Sequence, residues 1–212
     1  MTKRASSGLE AARATRTFNL VLAGVGGQGI LLASRVLCQA AMDEGHPVNS
    51  FESHGMAQRG GAVFATIRWG PDARSSLILE QEADMLVAFE PVEALRRLMD
   101  VSSSTTAVLN TRAIAPISVS SVKGKTYPSA GEVLDTLGEH VARVVALDGS
   151  GIAERLGNPA LLSAVMLGAA WASGSLPLDP KLLRRALERV VPERYLELNR
   201  AAFEEGGRAV AS

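Results

Sequence analysis

Two stretches of this chain carry residue types that could do chemistry. The first is Gly24-Val25-Gly26-Gly27-Gln28-Gly29, in which Gly24, Gly26 and Gly29 match the dinucleotide fingerprint G-x-G-x-x-G. Glycine has no Cβ, so such a turn can take positive φ and let a ligand touch the backbone. The helix expected next would aim unpaired N–H groups and a partial positive charge at a phosphate or carboxylate. Gly24, Gly26, Gly27, Gln28 and Gly29 are therefore the candidate cofactor-binding residues. A turn of this kind can equally serve only to pack a first helix on a first strand. An NAD site would want an acidic residue ending the second strand, about 20 residues on. Glu52 is a late candidate for that position.

The second stretch is Ser53-His54-Gly55-Met56-Ala57-Gln58-Arg59-Gly60-Gly61. It has little to bury, and its glycines permit close backbone approach. Histidine is the side chain that can exchange a proton near neutral pH, which makes His54 the one candidate for proton transfer, although no residue of this chain is assigned as a catalyst. Gln58 offers a donor and an acceptor, and Arg59 a charged fork suited to a carboxylate or phosphate. Ser53, His54, Gly55, Met56, Gln58 and Arg59 are the candidates for an edge facing a partner or an active site. The plainer alternative is a solvated turn into the next strand.

The elements that must position these stretches follow from hydrophobic patterning. An apolar run from Asn19 reads as strand, and Leu32, Val36, Leu37 and Ala40 fall on one face of a helix stopping at Gly45 with Pro47 beyond. Val48–Glu52 and Ala62–Trp69 read as strands. The loop between them is too short for a helical crossover, which predicts an antiparallel third strand. Asp84–Phe89 is a buried strand, and Glu90-Pro91 opens a helix with Leu95, Leu98 and Met99 on one face. A strand at Thr105–Asn110 precedes an irregular excursion from Ala115 to Pro128, with short β-like pieces. A helix to about His140 and a strand at Ala142–Leu147 follow. The remainder is helical, with Asn158-Pro159 and Asp179-Pro180 as starts and Pro192 before the last helix. This alternation predicts an α/β protein: three layers, α/β/α, with a mostly parallel, mixed sheet and a Rossmann-like glycine turn after the first strand. Residues 17–212 are expected to form one domain behind a disordered polar tail, residues 1–16.

Composition narrows the function. Lys and Arg (22) balance Asp and Glu (22), which gives no support for nucleic-acid binding. The single Cys38 can form neither an internal disulfide nor a cysteine-ligated iron–sulfur cluster within this chain. His46, His54 and His140 have no metal-ligand spacing, so no metal site is expected. The longest apolar stretch, Ala160–Ala172, is too short for a membrane span, and the amino-terminal residues lack a secretory apolar core. A cytoplasmic protein without membrane contact is the expectation.

Taken together, the glycine turn, the Ser53–Gly61 stretch and Phe89-Glu90-Pro91-Val92-Glu93-Ala94-Leu95 resemble the gamma-type component of 2-oxoacid:acceptor oxidoreductases, thiamine-diphosphate enzymes. Asn110-Thr111-Arg112, Tyr127-Pro128 and Val191-Pro192 are weaker echoes. The likeness spans the chain from Thr17 onward and is strongest to the small beta-subunit branch that serves indolepyruvate. It implies a component of a complex that is inactive alone. A large partner subunit would carry thiamine diphosphate, magnesium and iron–sulfur clusters, and ferredoxin would accept the electrons. This chain would bind no cofactor by itself, with coenzyme A as a ligand the two chains could share. Aryl-pyruvates are the favoured substrates. A free-standing NAD- or nucleotide-binding protein is the alternative.

Overall fold

The computed structural model describes residues 16–54, 61–114 and 127–211. The tail before Arg16, the stretch 55–60 and most of the excursion, 115–126, lie outside the described residues. Six strands form one sheet: β1 (Phe18–Val25), β2 (Val48–His54), β3 (Ala62–Trp69), β4 (Met85–Ala88), β5 (Thr106–Asn110) and β6 (Arg143–Leu147). Their order is β2-β3-β1-β4-β5-β6. β1, β4, β5 and β6 are mutually parallel, and β3 runs antiparallel to both neighbours. The mixed α/β architecture expected from the sequence is present, including the antiparallel third strand.

Seven α-helices occur among the described residues: α1 (Ile30–Asp43), α2 (Pro91–Leu95), α3 (Ala130–Gly138), α4 (Gly149–Arg155), α5 (Leu162–Ala172), α6 (Pro180–Val190) and α7 (Leu196–Ala211). Period-two alternation in β1 splits its side chains between two cores. Leu20 and Leu22 join α1, α5, α6 and α7, whereas Val21 and Ala23 join α2 and α3. α5 is buried on nearly all sides. Its axis lies so close to α7 that a Cβ on Gly168 would meet the Phe203 carbonyl carbon at 2.8 Å. No helix among the described residues is long and apolar enough to cross a membrane.

Several boundaries differ from expectation. Ser53 and His54 belong to β2, paired with Phe64 and Val63, because the ladder to β3 continues past Glu52. α2 is only five residues long, since the chain turns after Leu95. Leu95 and Leu98 still pack on the second core, but Met99 is exposed instead of sharing their face. Asn158 and Pro159 open a short 3₁₀ turn, and α5 begins at Leu162.

Candidate functional site

The carboxyl ends of the parallel strands are where an α/β sheet binds ligands, at the point where successive connections diverge. Here β1 is that point. Its connection through α1 leads to the β2 side, and β4 lies on the other. The glycine turn sits at this end. Gly27 and Gly29 take positive φ (102° and 83°), the conformation that glycine tolerates and other residues resist. A Cβ on Gly27 would meet nothing within 4 Å, so the turn is open there. Gly29 caps α1 without a side-chain hydrogen bond, and the first turn holds no acidic residue. The positive end of a 14-residue helix therefore lies uncompensated by any capping side chain.

The other turn residues have interior duties. Gln28 is 7% exposed. Its Oε1 accepts from Val25 N at 2.8 Å, and its Nε2 donates to the Phe89 carbonyl at 2.7 Å. That side chain faces the protein, not the crevice, so Gln28 can serve a ligand only by shaping the turn. Gly24 is glycine for the same reason: a Cβ there would meet Gln28 Oε1 at 2.6 Å and Phe89 Cβ at 2.8 Å. Gly29 is pressed by Ser163, the buried serine of α5, whose Cβ would lie at 2.9 Å. Gly26 N donates to the Gly61 carbonyl at 2.9 Å. This bond ties the glycine turn to the last residue of the second chemical stretch. Of that stretch, the backbone of Ser53 and His54 is described. The side chain of His54, and all of Gly55, Met56, Gln58 and Arg59, lie outside the described residues.

Two residues without an assigned role in the sequence reading complete the crevice. Asn110, fully buried at the end of β5, donates from Nδ2 to the same Phe89 carbonyl (2.8 Å) and accepts at Oδ1 from Ser150 N (3.1 Å). Glu90 is 1% exposed. Its Oε2 accepts from Glu93 N at 3.0 Å and caps α2, while Oε1 accepts from Ile114 N at 3.3 Å and from the Tyr127 hydroxyl. Burial and the Glu90 carboxylate push the Tyr127 phenol far above its ordinary range. The hydroxyl therefore keeps its proton as a donor. Burial is also the main cause that raises Glu93. The signal for both residues was present in the sequence: a polar residue closing an apolar strand, and an acid before a first-turn proline. What each bonds to was not.

Arg112 bridges Asp148 at 3.0 Å and Glu154 at 2.5 Å, beside the start of α4. Cys38 is half-buried on α1, and burial raises its thiol above the usual range. Among the described residues no three His, Cys, Asp or Glu side chains gather as a metal site. A polar cavity of about 290 Å³ lies at the opposite, amino-terminal end of β1 and β4, lined by Arg16, Asn19, Gln81, Glu82, Asp84 and Ser104.

Topology does not favour the NAD alternative. An acidic ribose partner must end the strand beside β1, but β3 is inserted between β1 and β2. At about 4.8 Å per strand, Glu52 stands about twice as far from β1 as that role requires. It sits in the ladder opposite Ala65.

The sequence profile of the family described as pyruvate ferredoxin/flavodoxin oxidoreductase matches residues 19–209. Indolepyruvate oxidoreductase subunit IorB of Methanothermobacter thermautotrophicus is 38% identical over 194 residues, covering 92% of this chain and 98% of that protein. Among solved structures, the gamma subunit of a keto/oxoacid ferredoxin oxidoreductase from Geobacter sulfurreducens superposes with a TM-score of 0.65 at 21% identity. That alignment covers 92% of this chain and 98% of that one. A 2-oxoglutarate:ferredoxin oxidoreductase from Magnetococcus marinus, solved with 2-oxoglutarate, coenzyme A and succinyl-CoA bound, gives a TM-score of 0.69 at 19% identity. It covers 93% of this chain but only 31% of the larger protein.

Proposed function

The chain belongs to the pyruvate ferredoxin/flavodoxin oxidoreductase family, and from that premise we propose that it is the gamma-type subunit of a cytoplasmic 2-oxoacid:ferredoxin oxidoreductase. Indolepyruvate is the favoured substrate, on the strength of the relative from Methanothermobacter. The complex decarboxylates the 2-oxoacid oxidatively, forms an acyl-CoA and passes the electrons to ferredoxin. The observation that carries this reading is the bond from Gly26 N to the Gly61 carbonyl. It joins the glycine turn to Gly61, the last residue of the Ser53–Gly61 stretch.

Removing carbon dioxide from a 2-oxoacid leaves a carbanion that needs an electron sink, which thiamine diphosphate supplies. The donor set here does not suit that machinery: one cysteine in the whole sequence cannot ligate a cluster. On the resemblance to the family, thiamine, magnesium and clusters are assigned to a larger partner. This chain contributes the wall of the crevice. The open turn at Gly27 and the uncapped amino terminus of α1 suit an anionic group of coenzyme A or substrate, with Arg59 as a second anchor for it. The exposed Phe51 (52%), close before that stretch, together with Leu77, Leu79 and Met99, supports a covered face in an assembly.

Reconstitution tests the reading. Purified large subunit plus this chain should oxidise indolepyruvate with coenzyme A and ferredoxin, and this chain alone with added thiamine diphosphate should not. Turnover by the isolated chain, or equal turnover by the large subunit without it, would overturn the proposal.

A further inference from the structure

The turn at Phe89-Glu90 gathers several elements of the molecule. The Phe89 carbonyl receives Gln28 from the glycine turn and Asn110 from the end of β5. One residue on, Glu90 Oε2 accepts from the amide of Glu93, which orients the carboxylate. Its Oε1 is then presented to two donors that flank the interval 115–126, Ile114 N before it and the Tyr127 hydroxyl after it. A single oxygen thus brings together chain positions 13 residues apart (127 − 114), a closure that costs entropy wherever nothing pins it. Glu90 is buried and touches neither solvent nor the open Gly27 face. Its bonds all run to elements that border the crevice. A displacement of about 1 Å at such a joint is enough to spoil alignment at a site it never touches.

We propose that Glu90 and Tyr127 are positioning residues: their bond, with that from Ile114 N, fixes the Phe89-Glu90 turn on which Gln28 and Asn110 also converge, and so sets how the crevice receives its anionic ligand. This rests on the subunit reading above. Tyr127→Phe removes one hydroxyl and keeps the ring, and Glu90→Gln keeps the size but puts an amide among donors.

Two measurements test it, both on the full chain. In the isolated protein, amide hydrogen exchange at Ile114 should quicken by about tenfold in Tyr127→Phe. In the reconstituted complex, the KM for coenzyme A should rise about fivefold while kcat stays within about twofold, the pattern of lost ligand binding without lost chemistry. Glu90→Gln should exceed Tyr127→Phe in both readouts, because it removes the charge that all three donors face and turns one of the two acceptor oxygens into a donor. Unchanged exchange at Ile114 would refute the fixing of the turn. Faster exchange with unchanged KM would refute the positioning role. A wild-type complex that turns over no 2-oxoacid would overturn the subunit reading, and the positioning role with it, while the exchange result still decides whether the turn is fixed.

Discussion

Two adjacent glycines of α7 should respond to alanine in opposite directions. A Cβ on Gly206 would meet the Val165 carbonyl carbon at 2.7 Å and Cα at 2.9 Å, and the carbonyl oxygen closer still. These are backbone atoms of α5 and cannot rotate aside. The helices must part by about 1 Å, which forfeits about a quarter to a half of the dispersion contacts across their seam. Val165, Ala202 and Phe203 are fully or almost fully buried around it. Burying Phe203 and Val165 is worth about 3–6 kcal/mol together, a quarter to a half of which is about 1–3 kcal/mol, and the forced backbone shift adds about 1 kcal/mol, a loss of about 2–4 kcal/mol. Alanine's helix propensity returns about 1 kcal/mol. Gly206→Ala should therefore destabilise by about 1–3 kcal/mol, lowering Tm by about 3–10 °C. At Gly207 the nearest atoms to a Cβ are at 3.7–3.9 Å, ordinary contact. Gly207→Ala should gain most of the propensity, about 0.5–1 kcal/mol. Urea unfolding of the two variants beside wild type decides it. Equal stability of all three, or a more stable Gly206→Ala, would show that the close crossing of α5 and α7 is not as described.

Two further predictions concern charge. Arg59→Ala should leave the fold of the isolated chain intact but raise the KM for an anionic ligand, or weaken assembly, in the reconstituted complex; normal assembly with unchanged kinetics for every ligand would dismiss Arg59 as the anchor. Asp100 is held above the ordinary carboxylate range, chiefly by burial and against the lowering effect of Arg97. The folded state therefore binds its proton more readily than the unfolded chain. Its contribution to stability is present below the unfolded value and is lost as pH rises through the raised one. Asp100→Asn should flatten that part of the stability-versus-pH curve, and an unaltered slope would rule Asp100 out as its source.

Local chemistry made the scaffold readable. A short connection before Ala62 forced an antiparallel β3, and prolines at 91 and 180 sit in first helical turns as the missing N–H dictates. The site was less readable because its roles depend on partners far away in the chain. Gln28 looks like a ligand contact until Phe89, 61 residues on, claims its amide. Asn110 and Glu90 look like strand-end and cap residues, and only the assembled sheet brings them to one carbonyl and one joint. Glu52 fitted the spacing of a ribose partner, but spacing along the chain says nothing about a strand inserted from later in it. Met99 kept the helical period after the helix had already ended at Leu95.

The glycine seam between α5 and α7 also has a temporal side. α5 leaves the ribosome well before α7, yet nine of its eleven residues are buried in the finished protein. Part of the cover is backbone of α7 lying in the groove at Gly168. Until Leu196 and its successors are synthesised, that greasy helix can pack on the sheet, α1 and α4, but the side that α7 will cover faces solvent or a stranger. A nascent chain interrupted between Ala172 and Leu196 would therefore be a substrate for chaperones and proteases, even though all six strands and the entire crevice had already been made.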